Sequence, residues 1–246
     1  MRNLKLTIEY NGSGFFGWQR QENLRTVQGE LEQAFLTLID EEVAVEGSGR
    51  TDKGVHALGQ VASVKIESKI PLCNIKRALN NLLPTDIRIV RVEEVSLDFH
   101  ARFSAKRKTY RYEVQIGEDA SAINCNLIGH YPYKIDFESM KKASKLLIGK
   151  HNFKGFCSAD TQVQNFEREI FDFTLSKRGR KVVFEVVGNG FLYNMVRILV
   201  GTLLDLGRGK LAESDIENAL KTGERKCAGI TMPPQGLYLK KVEYVE

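Results

Sequence analysis

One aspartate in this chain sits where chemistry can be done. Residues 47–59 read Gly47-Ser48-Gly49-Arg50-Thr51-Asp52-Lys53-Gly54-Val55-His56-Ala57-Leu58-Gly59, with strand-like sequence (Val61, Ala62, Val64, Ile66) directly after them. Glycines at this density let a backbone take positive φ and let another molecule come close to it. A carboxylate held ionised in such a loop can act as a nucleophile. Taken alone, the stretch reads first as a plain surface hairpin with an incidental aspartate, since most turns are only turns.

Sequence tests narrow the chemistry. Gly49 and Gly54 have the spacing of a phosphate-binding Walker loop, but Val55 stands where its lysine must be. The dinucleotide pattern fails because Asp52 occupies the position of its third glycine. There is no metalloprotease H-E-x-x-H motif and no serine nucleophile elbow around Ser13 or Ser48. The four histidines (His56, His100, His130, His151) share no metal-ligand spacing. A semi-buried Asp52 needs a counter-charge, since an unpaired buried charge is costly. Arg197 is the best candidate: its neighbours Val196, Ile198 and Leu199 are apolar, and Asn194, Arg197, Gly201 and Asp205 share one helical face. Gly201 on that face leaves room for another segment to approach. A surface-helix arginine is the alternative.

From Phe99 to Tyr112 the chain carries five Lys or Arg and no acid, interleaved with aromatics. That pattern suits a polyanion with stackable bases, and it equally suits a solvated edge strand. Tyr110 and Tyr112 alternate with Arg111 and so face one way, as a core pair or as a platform for a base.

The elements that must position these residues follow from periodicity. Residues 3–10, 57–66, 87–95, 108–116, 169–177, 181–187 and 237–245 have the alternation of strands. Helices are predicted over 27–39, over 74–83 ending at Pro84, from Asp136 to about Leu147, from after Gly190 to Leu206, and from a capping pattern at Ser214 to Lys221. Each half then reads roughly β-α-β(β)-α-β, an α+β class with two ferredoxin-like halves and mostly antiparallel sheets around a cleft. The halves are expected at 1–104 and 105–246.

The whole chain has 246 residues and a net charge of +5, ordinary for a globular protein. Four cysteines lie far apart, which points to reduced, mostly packed thiols in a cytoplasmic setting. The N-terminus enters a strand pattern directly, and no apolar run is long enough to span a membrane.

Five ordered segments resemble the tRNA pseudouridine synthase A family. They are Tyr10-Asn11-Gly12 through Phe16-Gly17-Trp18-Gln19-Arg20-Gln21, the loop from Gly47 to Ala57, Phe99 to Ala105 with Lys108 to Tyr112, Gly190 to Arg197, and Pro234 to Leu239. The resemblance implies isomerisation of uridine to pseudouridine at nucleotides 38 to 40 of the tRNA anticodon stem-loop, by a homodimer that uses neither nucleotide nor metal. Carried over, the catalytic aspartate is Asp52, its paired arginine is Arg197, the tyrosine over the target base is Tyr110, and Arg50 contacts RNA. Such an isomerisation has no redox change, so no cofactor is expected.

Two other classes stay open on the residues alone. One is a non-catalytic RNA-binding module of RRM-like sheets, although the RNP1 pattern is absent. The other is a nucleotide enzyme, which the missing Walker lysine disfavours.

Overall fold

The structure is a computed structural model, and it describes residues 1–158 and 163–244. The chain divides into two compact units: residues 1–106 together with the chain from Tyr238, and residues 107–237.

The first unit runs β1 (Arg2–Tyr10), α1 (Val27–Ile39), β2 (Glu46–Gly47), β3 (His56–Ile66), α2 (Leu72–Leu82) and β4 (Ile87–Val95). β1 lies between β4 and β3, antiparallel to both, with Leu4 opposite Val64 and Leu6 opposite Ala62. β2 pairs antiparallel with β3 at Glu46–Ser63. Leu4, Leu6 and Ile8 alternate into a core closed by Val27, Leu31 and Phe35 of α1 and by Ile75 and Leu79 of α2, all fully buried. α1 begins at Val27 because the Thr26 hydroxyl accepts from the Gly29 N–H, an N-cap.

The last strand, β10 (Leu237–Glu243), packs from Tyr238 onward with this first unit, whereas the expected division left it in the second. The cause is local. Tyr238 and Leu239 pair in parallel with His56 and Ala57, the Lys106 N–H donates to the Glu243 carbonyl, and the Tyr244 hydroxyl donates to the Ala101 carbonyl. The strand pattern was expected to run to Val245, which lies outside the described residues.

The second unit comprises β5 (Arg107–Ile116), β6 (Gly129–Tyr131), α3 (Phe137–Ala143), β7 (Gly149–Asn152), β8 (Glu167–Arg178), β9 (Lys181–Gly188), α4 (Met195–Gly207) and α5 (Glu213–Thr222). Its sheet order is β5-β9-β8-β7, antiparallel throughout, with β6 added parallel to β5. Every residue of α4 except Arg197 is buried, so this helix is the unit's central core element.

The architecture is therefore mixed α and β with mostly antiparallel pairing. α4 starts at Met195, later than the periodicity suggests, because Asn194 takes the left-handed conformation (φ +59°). The helix expected to reach Leu147 becomes 3-10 after Ala143. α5 begins at Glu213, one residue before the expected cap, and Asp215 accepts from the Ala212 N–H. Two thiols expected to be packed, Cys73 and Cys125, are exposed.

Candidate active site

The Asp52 loop is pinned from below by buried polar groups. The Ser48 N–H donates to the Val61 carbonyl (2.7 Å), and the Ser48 hydroxyl donates to Gln60 Oε1 (2.7 Å). Gln60 Nε2 then donates to the Gly49 carbonyl (3.0 Å). Thr51, directly before Asp52, is buried with its Oγ1 2.7 Å from the Tyr10 hydroxyl, and its carbonyl accepts from the Trp18 N–H (3.0 Å). Burial pushes the Tyr10 hydroxyl well above its usual pKa, so it stays protonated and neutral.

Past the aspartate, the Val55 N–H returns to the Asp52 carbonyl (3.1 Å). His56 Nδ1 accepts from the Gly12 N–H (2.9 Å), and its ring stacks on Tyr238 at 4.7 Å. Asp52 is thus half-buried between fixed points at Thr51 and His56. Arg50 is exposed on the same loop, and Lys53 Nζ lies 4.0 Å over the Phe16 ring.

The loop glycines serve internal packing more than the sequence suggests. A Cβ on Gly47 would meet the Trp18 indole at 2.5 Å, and one on Gly59 would meet the Lys240 carbonyl at 2.7 Å. Gly17, at φ +100°, lets the Phe15–Trp18 segment lie against the loop, since a Cβ there would be 2.7 Å from the Thr51 carbonyl.

In the second unit, Tyr110 and Tyr112 point the same way from β5, opposite Val186 and Phe184. Tyr112 is core: its hydroxyl donates to the Pro233 carbonyl (2.8 Å), and burial holds its pKa high while the nearby Arg197 charge opposes that rise. Tyr110 is largely buried and packs edge-on against Phe191, ring centroids 5.1 Å apart.

Arg197 leaves the first turn of α4. Its Nε donates to the Met232 carbonyl (2.6 Å), and its Nη1 donates to Asn194 Oδ1 (2.5 Å). The Met232 N–H returns to the Arg197 carbonyl (3.3 Å). Segment 229–232 lies against Arg197, Gly201 and Asp205, the approach that a glycine at 201 was expected to allow, whereas Asn194 turns to Ser158 and Arg197. A Cβ on Gly201 would collide with the Ile230 carbonyl, and Asp205 accepts from the Ile230 N–H (3.4 Å) and from the Tyr131 hydroxyl (2.8 Å).

Of the sequence-derived site residues, Asp52 and Arg50 share one loop of the first unit, and Tyr110 and Arg197 belong to the second. Among the cations of the 99–112 stretch, Arg111 is tied to Glu185 (2.8 Å) within the sheet, while Arg102, Lys106 and Arg107 are exposed. Phe103 is 74% exposed and lies against His100.

Sequence reasoning gave no role to Tyr10, Thr51, Ser48 and Gln60 beneath the loop, nor to Met232. The only signal was that Tyr10, Ser48 and Thr51 fall inside the matched segments. Among the described residues no group of three or more His, Cys, Asp or Glu is arranged to hold a metal. No helix of the described residues is long and apolar enough to cross a membrane.

The chain is 48% identical to the tRNA pseudouridine synthase A of Caldicellulosiruptor saccharolyticus, over 99% of this chain and 100% of that protein. It is 47% identical to tRNA pseudouridine synthase A 2 of Clostridium perfringens and 46% identical to the tRNA pseudouridine synthase A of Acetivibrio thermocellus, each over 99% of this chain and 100% of the relative. The tRNA pseudouridine synthase family profile matches residues 6–104 and 143–245, which take in the Asp52 loop, the Phe99–Ser104 stretch and the Arg197 helix. With both units matched, the chain belongs to the tRNA pseudouridine synthase family.

Proposed function

We propose that this protein isomerises uridine to pseudouridine at nucleotides 38, 39 and 40 of the tRNA anticodon stem-loop, with Asp52 as the nucleophile. The coarser activity follows from family membership: the chain is a tRNA pseudouridine synthase, an isomerase. The observation that carries the finer reading is the support under Asp52. Thr51 and His56 fix the backbone on either side of one half-buried carboxylate, which is how a nucleophile is held ready without its own reorganisation.

In this reading Arg197 favours the ionised carboxylate and orients it, Tyr110 stacks on the flipped base, and Arg50 contacts the RNA beside it. Asp52 forms a covalent adduct while the N–C glycosidic bond breaks. The base turns, C5 bonds to the sugar as the bond to Asp52 is released, and the C5 proton leaves with help from Tyr110 while N1 takes up a proton. Atoms and electrons balance without a cofactor. The two units act as ferredoxin-like halves, which the β4-β1-β3-β2 order of the first unit supports. The protein works in the cytoplasm as a homodimer, as its family resemblance implies.

Incubation with one unmodified tRNA and no cofactor, followed by mass-spectrometric mapping, tests this. Pseudouridine confined to nucleotides 38–40 is the expected product. A gel shift without pseudouridine would instead mark an RNA-binding module, and pseudouridine elsewhere would overturn the site assignment.

A further inference from the structure

Asn194 occupies the N-cap position of α4 but does not cap it. Asparagine is favoured there because its side-chain oxygen normally accepts an N–H of the first turn. Here no such bond is made, and the residue sits in the left-handed region at φ +59°, ψ 5°. Its oxygen is turned instead to Arg197 Nη1, 2.5 Å away.

The other end of the amide is also fixed. Nδ2 donates to the Ser158 hydroxyl (2.9 Å), and the Ser158 N–H donates to the Tyr193 carbonyl (3.3 Å). Because the Arg197 guanidinium can only donate, it takes the Asn194 oxygen, and the Ser158 hydroxyl accepts from Nδ2 at the other end. The Met232 carbonyl takes Nε from a second direction. A guanidinium gripped at two nitrogens has few rotamers left, and its remaining N–H groups are aimed rather than free to swing.

We infer that Asn194 is a positioning residue for the isomerisation: it forgoes capping α4 in order to orient the Arg197 guanidinium, with Ser158 locking its amide. The inference rests on the reading that Arg197 serves Asp52. A left-handed residue with a diverted cap is a local cost of the kind found where geometry serves function. Its effect on the reaction runs through Arg197 alone.

Glycine at 194 is the clean probe. It accepts the same φ without strain and is a tolerable N-cap, so α4 stays intact while the amide is lost. Asn194→Gly is expected to stay folded with a melting temperature lowered by no more than the loss of its two side-chain hydrogen bonds, to keep its KM for tRNA and to lose about tenfold in kcat. Asn194→Asp restores an acceptor oxygen and should recover most of that loss. In an Arg197→Lys background, Asn194→Gly should cause no further loss, because its only route is gone.

Wild-type kcat in Asn194→Gly, beside an impaired Arg197→Lys, would overturn the role of Asn194. An undiminished extra loss in the double variant would overturn it too, by showing a second route. Wild-type turnover in Arg197→Lys would instead remove the premise that Arg197 serves Asp52.

Discussion

The Tyr10 hydroxyl lies 2.7 Å from Thr51 Oγ1, and both side chains are buried directly beneath the loop that carries Asp52. Tyr10 closes β1, and Thr51 precedes the aspartate, so the sheet and the loop are joined at this bond. A buried hydroxyl deprived of its partner is expensive, whereas removing both partners together costs little. Tyr10→Phe is therefore expected to destabilise the protein by about 1–2 kcal/mol, read from the urea midpoint. Adding Thr51→Val should restore much of it. Equal destabilisation in the double variant would mean that the bond does not hold the loop.

Gly201 is required by the closeness of a neighbouring backbone. With no room for a Cβ beside the Ile230 carbonyl, Gly201→Ala must push segment 229–232 off α4. The cost should be ~1–3 kcal/mol of stability. Turnover should fall as well, since the displaced segment carries the Met232 carbonyl that holds Arg197. Unchanged thermal unfolding would show that the two segments separate freely.

The basic stretch should act through phosphate charge. Replacing Arg107 and Lys108 by Gln is expected to weaken tRNA binding and to make its salt dependence shallower, by about 0.7–0.9 in the log–log slope for each phosphate no longer neutralised. Arg111 offers a control, because its pairing with Glu185 leaves it little to give RNA. An unchanged slope in the Arg107/Lys108 variant would make this stretch only a strand edge.

A Tyr110 variant can separate the proposed base stacking from the proposed proton transfer. Tyr110→Phe keeps the ring that packs on Phe191 and removes the hydroxyl. Steady-state kinetics should show kcat reduced by about 10²-fold with KM for tRNA little changed, the size of a lost proton-transfer group. Wild-type kcat would leave the hydroxyl without a catalytic part.

Local elements were legible where one local signal governs them. α1 runs Val27–Ile39 and β4 runs Ile87–Val95, both as periodicity and breakers indicate, because apolar spacing, the Thr26 cap and the flanking turns agree. Long-range pairing was less visible. β10 joins the first unit through a two-residue parallel register with β3, and no local pattern encodes that. The short strands β2, β6 and β7 are set by their partners rather than by their own alternation.

The residues proposed for the chemistry stood out by type, spacing and family resemblance, while their supports did not. Asn194 was visible as a neighbour of Arg197 at i, i+3 and inside the matched Gly190–Arg197 segment, but its left-handed backbone delayed the start of α4. The Tyr10–Thr51 and Ser48–Gln60 pairs join residues 41 and 12 positions apart, so only the fold shows them.

The most direct measurement is single-turnover pseudouridine formation by Asp52→Ala on an unmodified tRNA, with tRNA binding measured on the same preparation. Asp52 as nucleophile predicts no product while tRNA still binds. Product at the wild-type rate would contradict that role, because the isomerisation would then need no carboxylate at this position.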